Sequence, residues 1–118
     1  MPQLLQERRQ APRFSFAATA VVKTPQGPEV ARVHVLGLGI AGCRVAIHRP
    51  LEVDQEFELT IKPNGEEIVA MVVVKYWSKR GFAGLHFTSM SDEARKRLER
   101  LVDYISRTSA EPEPGSPT

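Results

Sequence analysis

The sequence predicts a mainly β domain of about six short, mostly antiparallel strands, completed by one helix. Three observations carry that expectation. Apolar residues recur at every second position in short runs between Phe14 and Phe87. Glycine, proline and Asn-Gly turn signals separate these runs at regular spacing. After Ser91 the apolar period changes from that of a strand to that of a helix. Such a strand set folds as a small barrel or sandwich, and a barrel is favoured because closure leaves no unpaired edge.

The first strand is expected over Phe14 to Lys23, where Phe14, Phe16, Ala18 and Ala20 alternate ahead of Val21 and Val22. Thr24-Pro25-Gln26-Gly27-Pro28 ends it, because proline lacks a ladder donor and glycine turns the chain. Val30 to Leu36 alternates again, with Val33 and Val35 opposite Arg32 and His34. A glycine-dense turn, Leu36 to Gly42, leads to a third strand in which Cys43, Val45 and Ile47 oppose Arg44, Ala46 and His48. Arg49-Pro50 stops that strand. Phe57, Leu59 and Ile61 then alternate with Glu56, Glu58, Thr60 and Lys62. Pro63-Asn64-Gly65-Glu66 follows, and Asn-Gly between alternating runs is a strong hairpin signal. The partner strand is the Val-rich run from about Glu67 to Trp77. Lys79-Arg80-Gly81 turns into a sixth strand, Phe82 to Phe87, in which Phe82, Gly84 and His86 oppose Ala83, Leu85 and Phe87.

Ser91 is the expected helix cap, with Asp92 and Glu93 in the first turn where the helix dipole favours negative charge. Ala94, Leu98, Leu101, Val102 and Ile105 form the apolar stripe that packs on the barrel, plugging an end or covering a seam. The organisation is therefore an N-terminal arm, residues 1–13, a barrel with its helix, residues 14–107, and a tail, residues 108–118. The tail holds three prolines and no core-forming residue, and is expected to be disordered.

A chain of 118 residues supports one core. The net charge of +2 is small, and the arm accounts for it locally through Arg8, Arg9 and Arg13 against Glu7. Local positive potential suits a small anionic ligand better than a long polyanion. One cysteine, Cys43, excludes an intramolecular disulfide and fits a reducing, cytoplasmic compartment. No apolar run approaches the roughly 18 residues that span a bilayer.

Two features point to function. Guanidinium groups on an arm can grip phosphate in a fork and also stack on ring faces. Glycines at Gly37, Gly39 and Gly42 let backbone approach such a ligand closely. Each has a plain alternative. Arginines four apart occur by chance and can form a solvated basic tail, and glycines in a strand corner can simply relieve curvature at a bulge.

Taken together, an RRxxxR arm before the first strand, a glycine-rich corner after the second, six strands and a closing helix resemble the PilZ domain. The resemblance runs from about Glu7 to Ser106 and includes the Asn64-Gly65 hairpin and the strand Phe82-Ala83-Gly84-Leu85-His86-Phe87. It implies a six-stranded antiparallel PilZ-type β-barrel with a C-terminal helix. It also implies a bacterial, non-enzymatic receptor or adaptor that binds the second messenger cyclic di-GMP and relays it by protein contact. Arg9 and Arg13 match the family's RxxxR, with Arg8 as the usual additional arginine. In the second motif, an Asp or Asn, a Ser two places on and a Gly three further, only Gly42 agrees. Gly37 replaces the Asp or Asn, and Gly39 replaces the Ser. The carboxylate that accepts from a guanine edge and the hydroxyl donor are thus both absent, leaving the Gly37 and Gly39 N–H groups as substitutes. The alternative is a divergent domain that binds no nucleotide and acts only as a protein-interaction adaptor in motility or surface-organelle control.

Other residues offer less. His34, His48 and His86 fall on separate strands without metal-ligand spacing, so no metal or other cofactor is expected. Cys43 reads as a small buried side chain. Tyr76, Trp77 and Lys79 could build a stacking platform, although a core aromatic is the commoner fate. A nucleic-acid-binding barrel needs a basic groove with spaced aromatics, whereas aromatic content is 7% and the helix carries both signs of charge. No nucleophile with a matching base is present, which argues against an enzyme.

Overall fold

Alternation in the first run becomes β1 (Phe14–Lys23), which turns Ala20 and Val22 into the core while Phe14, Phe16 and Ala18 pack at its margin. The computed structural model describes residues 14–25 and 27–108. The chain reverses after β1 through a turn in which Gly27 N–H donates to the Thr24 carbonyl at 3.2 Å. β2 (Glu29–Leu38) returns antiparallel with Val33, Val35 and Leu38 inward and Arg32 and His34 in solvent. It runs past the expected limit at Leu36, because Gly37 and Leu38 still pair with Ser15 and Phe14.

β3 (Gly42–Ala46) buries Cys43 and Val45, and Ile47 continues that face. β4 (Glu56–Ile61) buries Phe57, Leu59 and Ile61. A single 3-10 turn, Pro63–Gly65, with Gly65 at φ 87°, lies between β4 and β5 (Ile68–Ser78). The Asn-Gly hairpin therefore exists, but with a longer connection, since the first cross-strand pair is Ile61 with Ile68. Gly81, at φ 98°, turns the chain into β6 (Phe82–Met90).

The strands close in the order β1-β2-β3-β6-β5-β4, every neighbouring pair antiparallel, with β4 returning to β1. Closure satisfies all strand edges, which is the physical reason a barrel was expected. Register shifts in the β1–β2, β2–β3 and β5–β6 ladders supply the extra twist that so narrow a barrel requires.

α1 (Asp92–Thr108) is capped as expected, with Ala94 N–H donating to Ser91 Oγ at 3.1 Å. Ala94, Leu98 and Ile105 are buried, and Leu101 and Val102 pack at the edge of the same core. The helix lies against β5 and β1, the two strands flanking β4, so it covers a seam of the barrel. Arg97 fixes its position by donating to the Glu67 carbonyl at 2.7 Å and pairing with Glu93 at 2.8 Å. No helix among the described residues is long and apolar enough to cross a membrane.

Candidate functional site

The corner joining β2 and β3 holds the glycines of the second sequence signal. Phe14 pairs with Leu38, so the segment ahead of β1 joins the barrel beside the corner. Arg8, Arg9 and Arg13 lie outside the described residues. Along the chain, Arg13 adjoins Phe14, and even Arg8 lies within about 20 Å of it at full extension.

The three glycines of the corner have separate local causes. Gly37 stands at a register shift between Val35 and Gly37, opposite Ser15 on β1 and Arg44 on β3. Gly39 N–H donates to the Gly42 carbonyl at 2.9 Å. The sequence reading left the Gly39 N–H to meet a ligand; instead this tight corner closes on its own backbone and takes that donor. Gly42 lies in β3 against β6, where an added Cβ would run into the Leu85 carbonyl oxygen and sit 3.2 Å from His86 Cα. Glycine is thus required there by the approach of a neighbouring strand. Ile40, 49% exposed, marks the tip of the turn.

Cross-strand pairing extends the site from this corner across the outer wall of the barrel. Ser15, Gly37, Arg44, Gly84 and Tyr76 form one row through β1, β2, β3, β6 and β5. Cys43 and Val45 point inward, so Arg44 points outward, and Gly84, between the buried Ala83 and Leu85, lies on the same face. Tyr76 joins that face because the register shift between Val74 and Tyr76 breaks the alternation that buries Val72 and Val74. The Arg44 guanidinium lies over the Phe82 ring, 4.6 Å from its centroid. Such a cation–π contact contributes about 0.5–1 kcal/mol where exposed, and more where desolvated. The Tyr76 ring covers Gly84 so closely that a side chain at 84 would occupy the same space.

The sequence placed Arg44 on a wet face without assigning it a role, and its alternation with Cys43 and Val45 was the available signal for its direction. Its ring partner Phe82 lies on a non-consecutive strand and could not be inferred from spacing. Of the aromatic pair considered as a platform, Tyr76 is 40% exposed on the outer wall, whereas Trp77 packs against the core with Nε1 buried and lacking a hydrogen-bond partner. His34, His48 and His86 are all exposed, and among the described residues no group of His, Cys, Asp or Glu is arranged to hold a metal. Cys43 is buried.

A depression of about 420 Å³ lies elsewhere, over β1, β2 and β4, lined by Thr19, Arg32, His34, Thr60 and Lys62. Its cations are already offset, since Arg32 pairs with Glu29 at 3.2 Å and Lys62 with Glu67 at 3.3 Å. The corner and its outer row are the better candidate.

Comparison with known proteins agrees with this geometry. The PilZ domain family model matches residues 7–104. No curated protein matches the chain. Among solved structures, the Bacillus subtilis inhibitor of motility (MotI/DgrA) is 14% identical, with a TM-score of 0.71 over 88% of this chain and 54% of its own. The PilZ domain of Escherichia coli YcgR, solved with cyclic di-GMP, is 14% identical, with a TM-score of 0.69 over 86% of this chain and 93% of that one. The K. pneumonia MrkH complex with cyclic di-GMP is 19% identical, with a TM-score of 0.66 over 86% of this chain and 54% of its own. The chain thus spans about half the length of the MotI/DgrA and MrkH chains. At these identities the structural likeness establishes the fold. The family model takes in the arm, every strand and most of the helix, and on that evidence the chain belongs to the PilZ domain family.

Proposed function

We propose that this PilZ domain is a non-enzymatic, cytoplasmic receptor for cyclic di-GMP that relays occupancy to a protein partner. The observation that carries the reading is the pairing of Phe14 with Leu38, which roots the arginine-bearing arm beside the glycine corner. The fold likeness to the YcgR and MrkH domains, both solved with cyclic di-GMP, supports the same ligand class. In this reading Arg8, Arg9 and Arg13 close over the doubly charged dinucleotide. They form forked bonds to its phosphates and stack on its bases. Closing the arm remodels the surface around the corner, and the partner recognises the remodelled surface.

The missing side chains set the expected strength. Without a carboxylate at Gly37 or a hydroxyl at Gly39, contacts of about 1.5–3 kcal/mol are lost, which weakens binding roughly tenfold to a hundredfold. Titration calorimetry with cyclic di-GMP tests the proposal, and Arg9→Ala and Arg13→Ala are expected to abolish the signal. No binding at millimolar nucleotide rejects the ligand and leaves a divergent adaptor acting by protein contact alone. That outcome carries its own expectation: a pull-down recovers one partner equally with and without nucleotide, and equally from Arg9→Ala.

A further inference from the structure

β5 differs from its neighbours in what it shows to solvent. Ile68 to Val74 is an unbroken apolar run, the pattern of a strand covered on both faces. The core covers only one of them. The outward set is Val69, 37% exposed, with Met71 and Val73 half-buried, and Tyr76 continues the stripe beyond the register shift. On β4, by contrast, the outward positions are Glu56, Glu58 and Thr60. β5 lies between β4 and β6 in a closed barrel, so the stripe runs down the middle of a wall. Its two flanks differ in charge. Across the β4 ladder Met71 pairs with Glu58 and Val73 with Glu56, whereas across the β6 ladder Val73 pairs with His86. Glu58 lies 3.8 Å from Lys23, and Glu56 has no ion pair among the described residues.

We propose that this stripe is the docking face for an amphipathic helix of a protein partner, apolar along its centre and basic along the edge that meets β4. Docking here requires no nucleotide, so it stands apart from the receptor reading above. Closure of the barrel leaves no free edge for an added strand, which excludes strand pairing as the mode of contact. A helix fits the dimensions. The three strands β4, β5 and β6 span about 10 Å, the width of one helix. Val69 to Val73 covers about 13 Å along the strand, and Val69 to Tyr76 about 23 Å, lengths matched by helices of roughly 9 and 15 residues. Glu56 and Glu58 stand about 7 Å apart on one strand, close to the rise between helix positions four apart. Two lysines or arginines one turn apart therefore meet both carboxylates. The same carboxylates repel nucleic acid and anionic lipid from this flank.

The test is amide NMR of the full chain titrated with two synthetic helical peptides of about 15 residues. Both carry a leucine stripe, one edged with lysine and the other with glutamate. The lysine peptide is expected to shift the amides of Glu56, Val69, Met71 and Val73, and to bind roughly tenfold more tightly than the glutamate peptide. The chain's net charge of +2 opposes that preference, so the local carboxylates must supply it. Val69→Thr combined with Val73→Thr keeps branched, strand-forming side chains and is expected to weaken binding roughly tenfold. Glu56→Lys is expected to weaken the lysine peptide roughly fivefold and to tighten the glutamate peptide. Equal binding of the two peptides overturns the basic-edge assignment. Shifts confined to other surfaces, or none at millimolar peptide, overturn the docking face itself. Stripe amides that move with protein concentration alone identify a second copy of the chain as the occupant and overturn the helix assignment. Thermal melting accompanies the titrations, and if the double threonine variant melts early, Glu56→Lys, at an exposed position, decides.

Discussion

Replacing Gly42 with alanine separates two reasons for a glycine at the corner: contact with a ligand, or contact with a neighbouring strand. Gly42 pairs with His86 across the β3–β6 ladder, and an added Cβ would press on the Leu85 carbonyl oxygen while lying 3.2 Å from Leu85 C and His86 Cα. These are backbone atoms, so no rotamer change relieves the overlap. Relief requires β3 and β6 to separate, although β2 and β5 hold them on their other edges. Such overpacking costs about 1–3 kcal/mol. The Phe87 N–H bond to the Ala41 carbonyl, 2.9 Å long, spans the same junction, and its loss adds about 1 kcal/mol. The sum, about 2–4 kcal/mol, corresponds to a melting temperature lower by roughly 8–30 °C for a domain of this size. Thermal unfolding followed by circular dichroism without nucleotide measures it directly. A melting point within about 2 °C of wild type would refute the packing argument and return Gly42 to the ligand. If the expected drop is seen, loss of nucleotide binding in Gly42→Ala says nothing about direct contact.

Three further substitutions probe the scaffold. Phe57→Ala empties one of the largest buried positions, 2% exposed, and is expected to cost about 3–5 kcal/mol. This should appear as a lower urea midpoint with an unchanged slope. Ser91→Ala removes the acceptor for Ala94 N–H and should lower stability by about 0.5–2 kcal/mol, whereas Ser91→Asp retains a cap and most of the stability. Gly81→Ala forces a side chain into a backbone with φ 98° and should cost about 1–2 kcal/mol in the same urea titration.

The strands were legible because each buries one face. Val33 and Val35 alternate with Arg32 and His34, and the barrel uses that alternation directly. Strand ends were not legible, because partners set them. β2 continues to Leu38 since β1 is still alongside, and β6 continues to Met90 since Ala70 is opposite it, although Thr88 and Ser89 carry no apolar signal. Strand order was likewise hidden. β6 lies between β3 and β5, a neighbourhood that no local pattern encodes. That hidden neighbourhood decides the site. Gly42 answers to the backbone of Leu85, Gly84 to the ring of Tyr76, and Arg44 to the ring of Phe82, each on a strand other than its own. A glycine in a motif shows only that something comes close, and here an adjacent strand meets that description at Gly42. Gly42 at this corner thus answers to strand packing and the Gly39 N–H to the turn itself, so the proposed ligand contacts rest on the arginines ahead of β1.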